Sequence, residues 1–363
     1  MAVTGEDAEP ADGGERVVSR RSVVAGAGVF AFGVGSGALL GRRGSSVAAD
    51  PGGYDASDGG HAGHGGSAAA AAPPVAHAGP VSMGYGHGIA PPDTFTRQDA
   101  VALATPPTVD VGRRRTRRYD LTVTQDAVEV AAGVTVHAWR YGGRVPGPVL
   151  RATEGDRMVV TMANRTEHSH NVHLHGRHDP AMDGIEPIGP GDTFTYDVIA
   201  EPFGLHPYHC HTMPLSEHLG RGLYGAFIVD PPGGRPPAHE FVLVLSGWDL
   251  DGDGTDELVT WNGIAGAYER HPLTVPVGER VRLYVVNMLE NEPVASFHLH
   301  AQTFDVFRSG TRLRPDEHTD IVGLTQAERV VVEFTLPVRG RYMFHPHQTR
   351  LAEKGSMGWI AAV

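Results

Sequence analysis

A single cysteine in 363 residues, Cys210, excludes an intrachain disulfide. Long apolar runs are missing as well. The nearest approach, Val23 to Leu40, is broken by glycines and makes a poor membrane span. Basic residues are outnumbered, 30 Lys and Arg against 42 Asp and Glu. The resulting net charge of -12 argues against a nucleic-acid partner and against docking on an anionic membrane, and is compatible with a cationic substrate. No extended segment carries the 3.6-residue apolar period of a helix. What the chain does have is histidine, 21 in all, and 40% hydrophobic residues, enough for packed globular domains.

The N-terminus points outside the cytoplasm. Ser19-Arg20-Arg21-Ser22-Val23-Val24 opens the weakly apolar run, and Val47-Ala48-Ala49 follows it. This is the layout of a twin-arginine export signal over residues 1–49, with an extracellular, cell-wall or periplasmic destination. A lone thiol in an exported protein needs a reason, and metal ligation supplies one. Residues 50–116 read as a flexible linker, Gly/Ala/His/Pro-rich from Asp50 to Pro92, with His61, His64, His77, His87 and Met83 as solvated side chains.

Beyond Arg118 the texture changes to short alternating segments punctuated by Gly, Pro and Asp. Tyr119–Thr124, Val128–Val136, Arg157–Met162, Thr193–Ile199, Gly225–Val229, Phe241–Leu245, Arg280–Val286 and Arg329–Phe334 are the predicted strands. That spacing predicts an all-β sandwich or barrel. The pattern also repeats. Glu154-Gly155-Asp156-Arg157, Asn164 and His173-Leu174-His175 are echoed by Val277-Gly278-Glu279-Arg280, Asn287 and His298-Leu299-His300. His209-Cys210-His211 is echoed by His345-Pro346-His347. Two homologous β-domains are therefore expected, at 117–232 and 238–363, joined near Pro231 to Pro237.

His-x-His on a strand sets both imidazoles on one face, because side chains alternate with period two. Four such pairs occur, two per repeat: His173/His175, His209/His211, His298/His300 and His345/His347. Eight imidazoles converging from two related domains could hold three copper ions with positions open for oxygen. Cys210 adds a thiolate between His209 and His211. A thiolate with two imidazoles and a weak or absent axial ligand defines a blue copper site. His218, eight residues on, and His170 complete that trio. The axial position falls on Leu223, with Met213 as the alternative. Because Cys210 is covalently continuous with His209 and His211, electrons can pass from the sulfur site to the imidazole cluster through few bonds.

His170-Asn171-Val172-His173-Leu174-His175-Gly176 followed by His209-Cys210-His211 resembles the copper motifs of the laccase-like multicopper oxidases. Gly143-Arg144-Val145-Pro146-Gly147-Pro148 is similar to theirs too, and the match covers roughly 117–363. The resemblance implies Greek-key cupredoxin sandwiches and about four coppers per chain. His173 and His298 match the type 2 ligands. His175, His209, His211, His300, His345 and His347 match the type 3 pair. The implied reaction is one-electron oxidation of a small reducing substrate at type 1 copper, coupled to reduction of O2 to water. In the second repeat Ala295, Pro346 and Lys354 stand where His170, Cys210 and His218 do, so type 1 copper belongs to the first domain alone. That resembles a two-domain subgroup forming homotrimers with clusters between subunits, which suits head-to-tail closure; a cluster within one chain is the alternative.

Copper nitrite reductases share the two-domain plan but would carry Asp where His173 stands and would lack the second His of His-Cys-His. A non-catalytic electron carrier would leave eight histidines unused. Asp249-Leu250-Asp251-Gly252-Asp253-Gly254 resembles the start of a calcium loop, yet position twelve is Thr260 and not Glu, so a polar turn is the expectation. His178 and His206 lie near ligands and could orient imidazoles; Asp179 and Asp183 could do the same or deliver protons to reduced oxygen, and Asp320, after His318, is a further acidic candidate; surface solvation is the expectation for all five. No special role attaches to His137, His168, His239 or His271.

Overall fold

The computed structural model describes Ile89–Val363 apart from Arg113. The export signal and most of the expected linker lie outside the described residues. The last part of that linker, however, is folded. Arg97–Ala104 form a helix, α1, closed at its start by reciprocal bonds between Thr96 and Asp99. Its Ala100 and Ala104 are fully buried in the core of the second β-domain. A linker extending to residue 116 is thus too long an expectation. Two small apolar residues four apart make one helical face, a signal too brief to stand out beside the low-complexity stretch before it.

Eight strands build the first domain: β1 Thr116–Ala131, β2 Val134–Tyr141, β3 Leu150–Thr153, β4 Arg157–Asn164, β5 His173–Leu174, β6 Thr193–Ile199, β7 Gly204–His209 and β8 Tyr224–Asp230. One sheet runs β2-β1-β4-β6, the other β3-β8-β7-β5. The segment 128–136, expected as one strand, is the hairpin joining β1 to β2, because the chain turns at Ala132 and Gly133. The second domain contains β9 His239–Trp248, β10 Leu258–Trp261, β11 Leu273–Val275, β12 Arg280–Asn287, β13 Val294–Leu299, β14 Phe304–Arg308, β15 Glu317–Thr319, β16 Ile321–Thr325, β17 Arg329–Thr335, β18 Gly340–His345 and β19 Gly358–Ala362. Its sheets run β10-β9-β12-β17-β14-β15 and β11-β19-β18-β13-β16.

The repeat seen in the sequence is thereby a repeat of topology. β2-β1-β4-β6 maps onto β10-β9-β12-β17, and β3-β8-β7-β5 onto β11-β19-β18-β13, with β14 to β16 inserted. Even the parallel pairs recur, β1 with β4 as β9 with β12, and β3 with β8 as β11 with β19. Each domain is a two-sheet Greek-key sandwich of the cupredoxin kind.

Every residue of β7 and β8 is buried, on both faces. One face fills the first domain's core with Leu150, Met162 and Tyr196. The other, through Leu205, Tyr224, Ala226 and Ile228, packs on Val242, Val244, Tyr284 and Val286 of the second domain. A buried ionic network crosses the same boundary. Arg151 of β3 donates to Asp230 at 2.7 Å and to Glu240 of β9 at 2.7 Å. Arg282 of β12 then donates to Glu240 at 2.8 Å and to Glu333 at 2.7 Å. Each buried carboxylate meets at least one guanidinium, which such burial requires.

Candidate metal centres

Cys210 follows directly on β7, and His218 lies in the short helix α2, Leu215–Gly220, that leads back toward β8. His170 precedes β5 and is tied to Ile188 by a pair of backbone bonds. These three are all buried, and their donor atoms lie within 4.8 Å of one another. Nδ1 of His170 is 3.1 Å from Nδ1 of His218, and Cys210 Sγ is 3.2 Å from the same nitrogen. Burial pushes His170 down to about 3 and His218 to about 4, so both rings are neutral with lone pairs to offer. Nε2 of His170 is buried without a partner, leaving Nδ1 as the ring's one polar contact. Burial pushes the Cys210 thiol up, opposed by the backbone amides of Asn171 and Thr212. One sulfur and two neutral imidazoles in a dry pocket form a donor set that fits copper.

Leu223 is fully buried beside the trio. Its carbonyl accepts from the Cys210 amide at 3.0 Å, and its own amide donates to the His218 carbonyl at 3.2 Å. Met213, the alternative axial residue, is 75% exposed to solvent, just before Pro214, which opens α2. Trp139 is a feature that sequence reasoning missed. Its ring lies 4.8 Å from both His170 and His218 and 5.0 Å from His168. Asn171 is another: its Oδ1 accepts from the His211 amide at 2.6 Å, and its carbonyl accepts from Tyr141. Asn171 was legible as a neighbour of two ligands; Trp139, on β2, had no such mark.

The eight histidines of the four His-x-His pairs form two quartets, one per domain. β5 pairs with β7 so that His173 faces His209, and β13 pairs with β18 so that His298 faces His345. His175 Nε2 lies 3.1 Å from His209 Nε2, and His300 Nε2 lies 2.8 Å from His345 Nε2. His211 joins the first quartet at 5.4 Å from His173, ring to ring, and His347 joins the second at 5.2 Å from His298. Among the described residues, no hydrogen bond or ring contact links one quartet to the other.

Backbone carbonyls orient these rings. Asp183 O receives His173 Nδ1 at 2.7 Å, and Asp320 O receives His298 Nδ1 at 2.7 Å. Cys210 O and Pro346 O do the same for His209 and His345, at 2.9 and 2.7 Å. With Nδ1 donating, Nε2 is the atom left for a metal. Gly184 makes the first contact feasible: a Cβ there would stand 2.0 Å from Val172 O. Asp183 and Asp320 are therefore more than surface groups. His178 Nε2 bonds Leu174 O at 2.8 Å and lies 3.7 Å from the Asp183 carboxylate. His206 is buried, bonding Pro202 O at 2.9 Å, and takes no part in either quartet. Asp179 caps a turn of 3-10 helix at Pro180–Met182. Burial pushes His175 to about 3 and His209 to about 4, and pushes His300 and His345 down.

Known proteins agree with this architecture. Two family profiles, each described as multicopper oxidase, match residues 122–234 and 245–362. A copper-containing nitrite reductase of Neisseria meningitidis is 29% identical over 278 residues, covering 70% of this chain and 72% of that protein. A solved structure described as a multicopper oxidase is 39% identical, with a TM-score of 0.70, covering 73% of this chain and 97% of that one. The blue copper oxidase of Nitrosomonas europaea is 27% identical at a TM-score of 0.62, covering 69% and 86%. With a sulfur–imidazole trio in one sandwich and a histidine quartet in each, the chain belongs to the multicopper oxidase family, whose members are copper-dependent oxidoreductases.

Proposed function

We propose that the protein is a laccase-like oxidase that withdraws single electrons from a small reducing substrate and passes them to O2. Bound copper would supply one-electron acceptance at the trio and four-electron reduction of O2 to water at a cluster of three ions. His170, Cys210 and His218 would hold the type 1 ion beside Leu223. His173 and His298 would hold type 2, and His175, His209, His211, His300, His345 and His347 the type 3 pair. The trio's burial keeps water from it, and the neutral imidazoles need no proton removed before binding. The Cys210 main chain joins the trio directly to His209 and His211.

The observation that carries this reading is the matched pair of quartets. His211 and His173 are the residues that separate it from nitrite reduction, the reading favoured by the similarity to the Neisseria protein. The two quartets, joined by no hydrogen bond or ring contact among the described residues, support a homotrimer with each cluster formed between domain one of one subunit and domain two of the next. The Ser19–Val24 segment supports export. Copper-loaded full-length protein should consume O2 with a chromogenic phenol, reduce nitrite little, and show an intense visible thiolate-to-copper band. Cys210→Ser should abolish that band and the turnover together. Nitrite reduction without O2 uptake overturns the assignment.

A further inference from the structure

The ligands of the trio offer almost no surface to solvent: His170 and Cys210 none, His218 4%. A reducing substrate cannot touch a ligand edge, so its electron needs another way in. The ring contacts mark one. Trp139, itself 2% exposed, lies 4.8 Å from both His170 and His218. Its indole is held on two sides. Nε1 donates to Gln125 at 3.1 Å, and the Arg221 guanidinium, donating in turn to Glu217 at 3.1 Å, lies 5.0 Å over the ring. Among the described residues the one further ring contact of Trp139 is His168, at 5.0 Å between centroids. His168 is exposed. A run of touching rings therefore leads from solvent through His168 and Trp139 to both imidazoles of the trio.

His168 is also fixed where it stands. Its carbonyl accepts from Asn164 at 2.7 Å, and its amide donates to Thr166 Oγ1 at 3.2 Å. Asn164 is fully buried at the end of β4. The main chain is thus pinned while, among the described residues, neither ring nitrogen of His168 has a hydrogen-bond partner. A planar aromatic can stack on such a ring, and an unpartnered ring nitrogen can accept from its hydroxyl. We infer that an electron-rich aromatic donor, a phenol, docks on His168 and that its electron reaches the trio across the Trp139 indole. The inference rests on the type 1 copper assigned to the trio above. Electron tunnelling falls off steeply with distance, and rings in contact shorten the gap; the indole bridges it and is not itself oxidised. Each phenol gives up one electron, and its hydroxyl proton passes to water, leaving a phenoxyl radical. Four such electrons and four protons reduce one O2 to two waters.

The test uses copper-loaded full-length protein without O2, so that bleaching of the visible band in a stopped-flow instrument reads electron entry alone. A methoxyphenol is compared with hexacyanoferrate(II), which has no ring to stack. His168→Leu should raise the half-saturating methoxyphenol concentration about tenfold or more, leave the limiting rate near that of the parent protein, and change hexacyanoferrate(II) reduction far less. Trp139→Leu should slow the limiting rate about tenfold or more, beyond what any shift in the potential of the centre explains, and Trp139→Phe, which keeps a ring, should recover most of it. Binding is read apart from electron transfer by titrating the fully reduced protein with benzamide, an aromatic with no oxidisable hydroxyl or amine. The His168 ring protons should then shift in the NMR spectrum. An unmoved half-saturation in His168→Leu, an equal loss for hexacyanoferrate(II), a Trp139→Leu rate loss matched by potential alone, or benzamide shifts that spare His168 would each overturn the inference. Should methoxyphenol bleach the band while no donor drives O2 uptake, the oxidase reading fails and the aromatic route stands.

Discussion

Leu223 offers hydrocarbon and no donor atom, is buried in the same core cluster as Cys210, and its main chain ties Cys210 to His218. A weak or missing axial ligand favours the reduced ion and raises the potential. Leu223→Met, close in volume, should therefore lower the potential of the visible centre by about 59 mV or more, the one-electron equivalent of a tenfold ratio. Redox titration of the visible band measures it, and an unchanged potential would mean that residue 223 does not face the metal. At this scale the ligands were legible because strand periodicity turns His-x-His into a single face. Trp139 was not, and Asp183 and Asp320 stood out only as acidic side chains. Trp139 reaches the trio from β2, across the sandwich, and the two aspartates act chiefly through carbonyl oxygens, which every residue possesses.

Strand positions were foreseen best where alternation is clean, as in β6 at Thr193–Ile199, which falls as expected. The 128–136 segment failed because apolar residues continue through a hairpin turn, and α1 because two alanines carry its buried face. The seam between domains was illegible, since the largely apolar run of β8 reads the same whether or not a second sandwich covers it. Arg151 is its electrostatic centre. Arg151→Ala would strand Asp230 as a buried carboxylate and leave Glu240 to Arg282 and Tyr284, and should cost roughly 3–5 kcal/mol of unfolding free energy. Chemical denaturation followed by tryptophan fluorescence would show it. Arg151→Met with Asp230→Leu should recover much of that loss, because the uncompensated charge goes with its partner. No recovery would place the cost in packing.

For the whole molecule, the decisive matter is whether the two quartets meet between subunits, as proposed. Chains carrying His173→Ala lack a working quartet in domain one, and chains carrying His298→Ala lack one in domain two. Each alone should be inactive. Mixed before assembly in equal amounts, they should regain activity at about a quarter of the junctions, where an intact half of one chain meets an intact half of another. A cluster closed within one chain would give no such rescue. On the proposed junction between subunits, the two quartets also limit what a string of these chains can look like. An open string, however long, always leaves one unmatched half at each end, and only a string joined to its own beginning leaves none. On that proposal a tendency to close would come from carrying two unlike halves, with no residue set aside for symmetry.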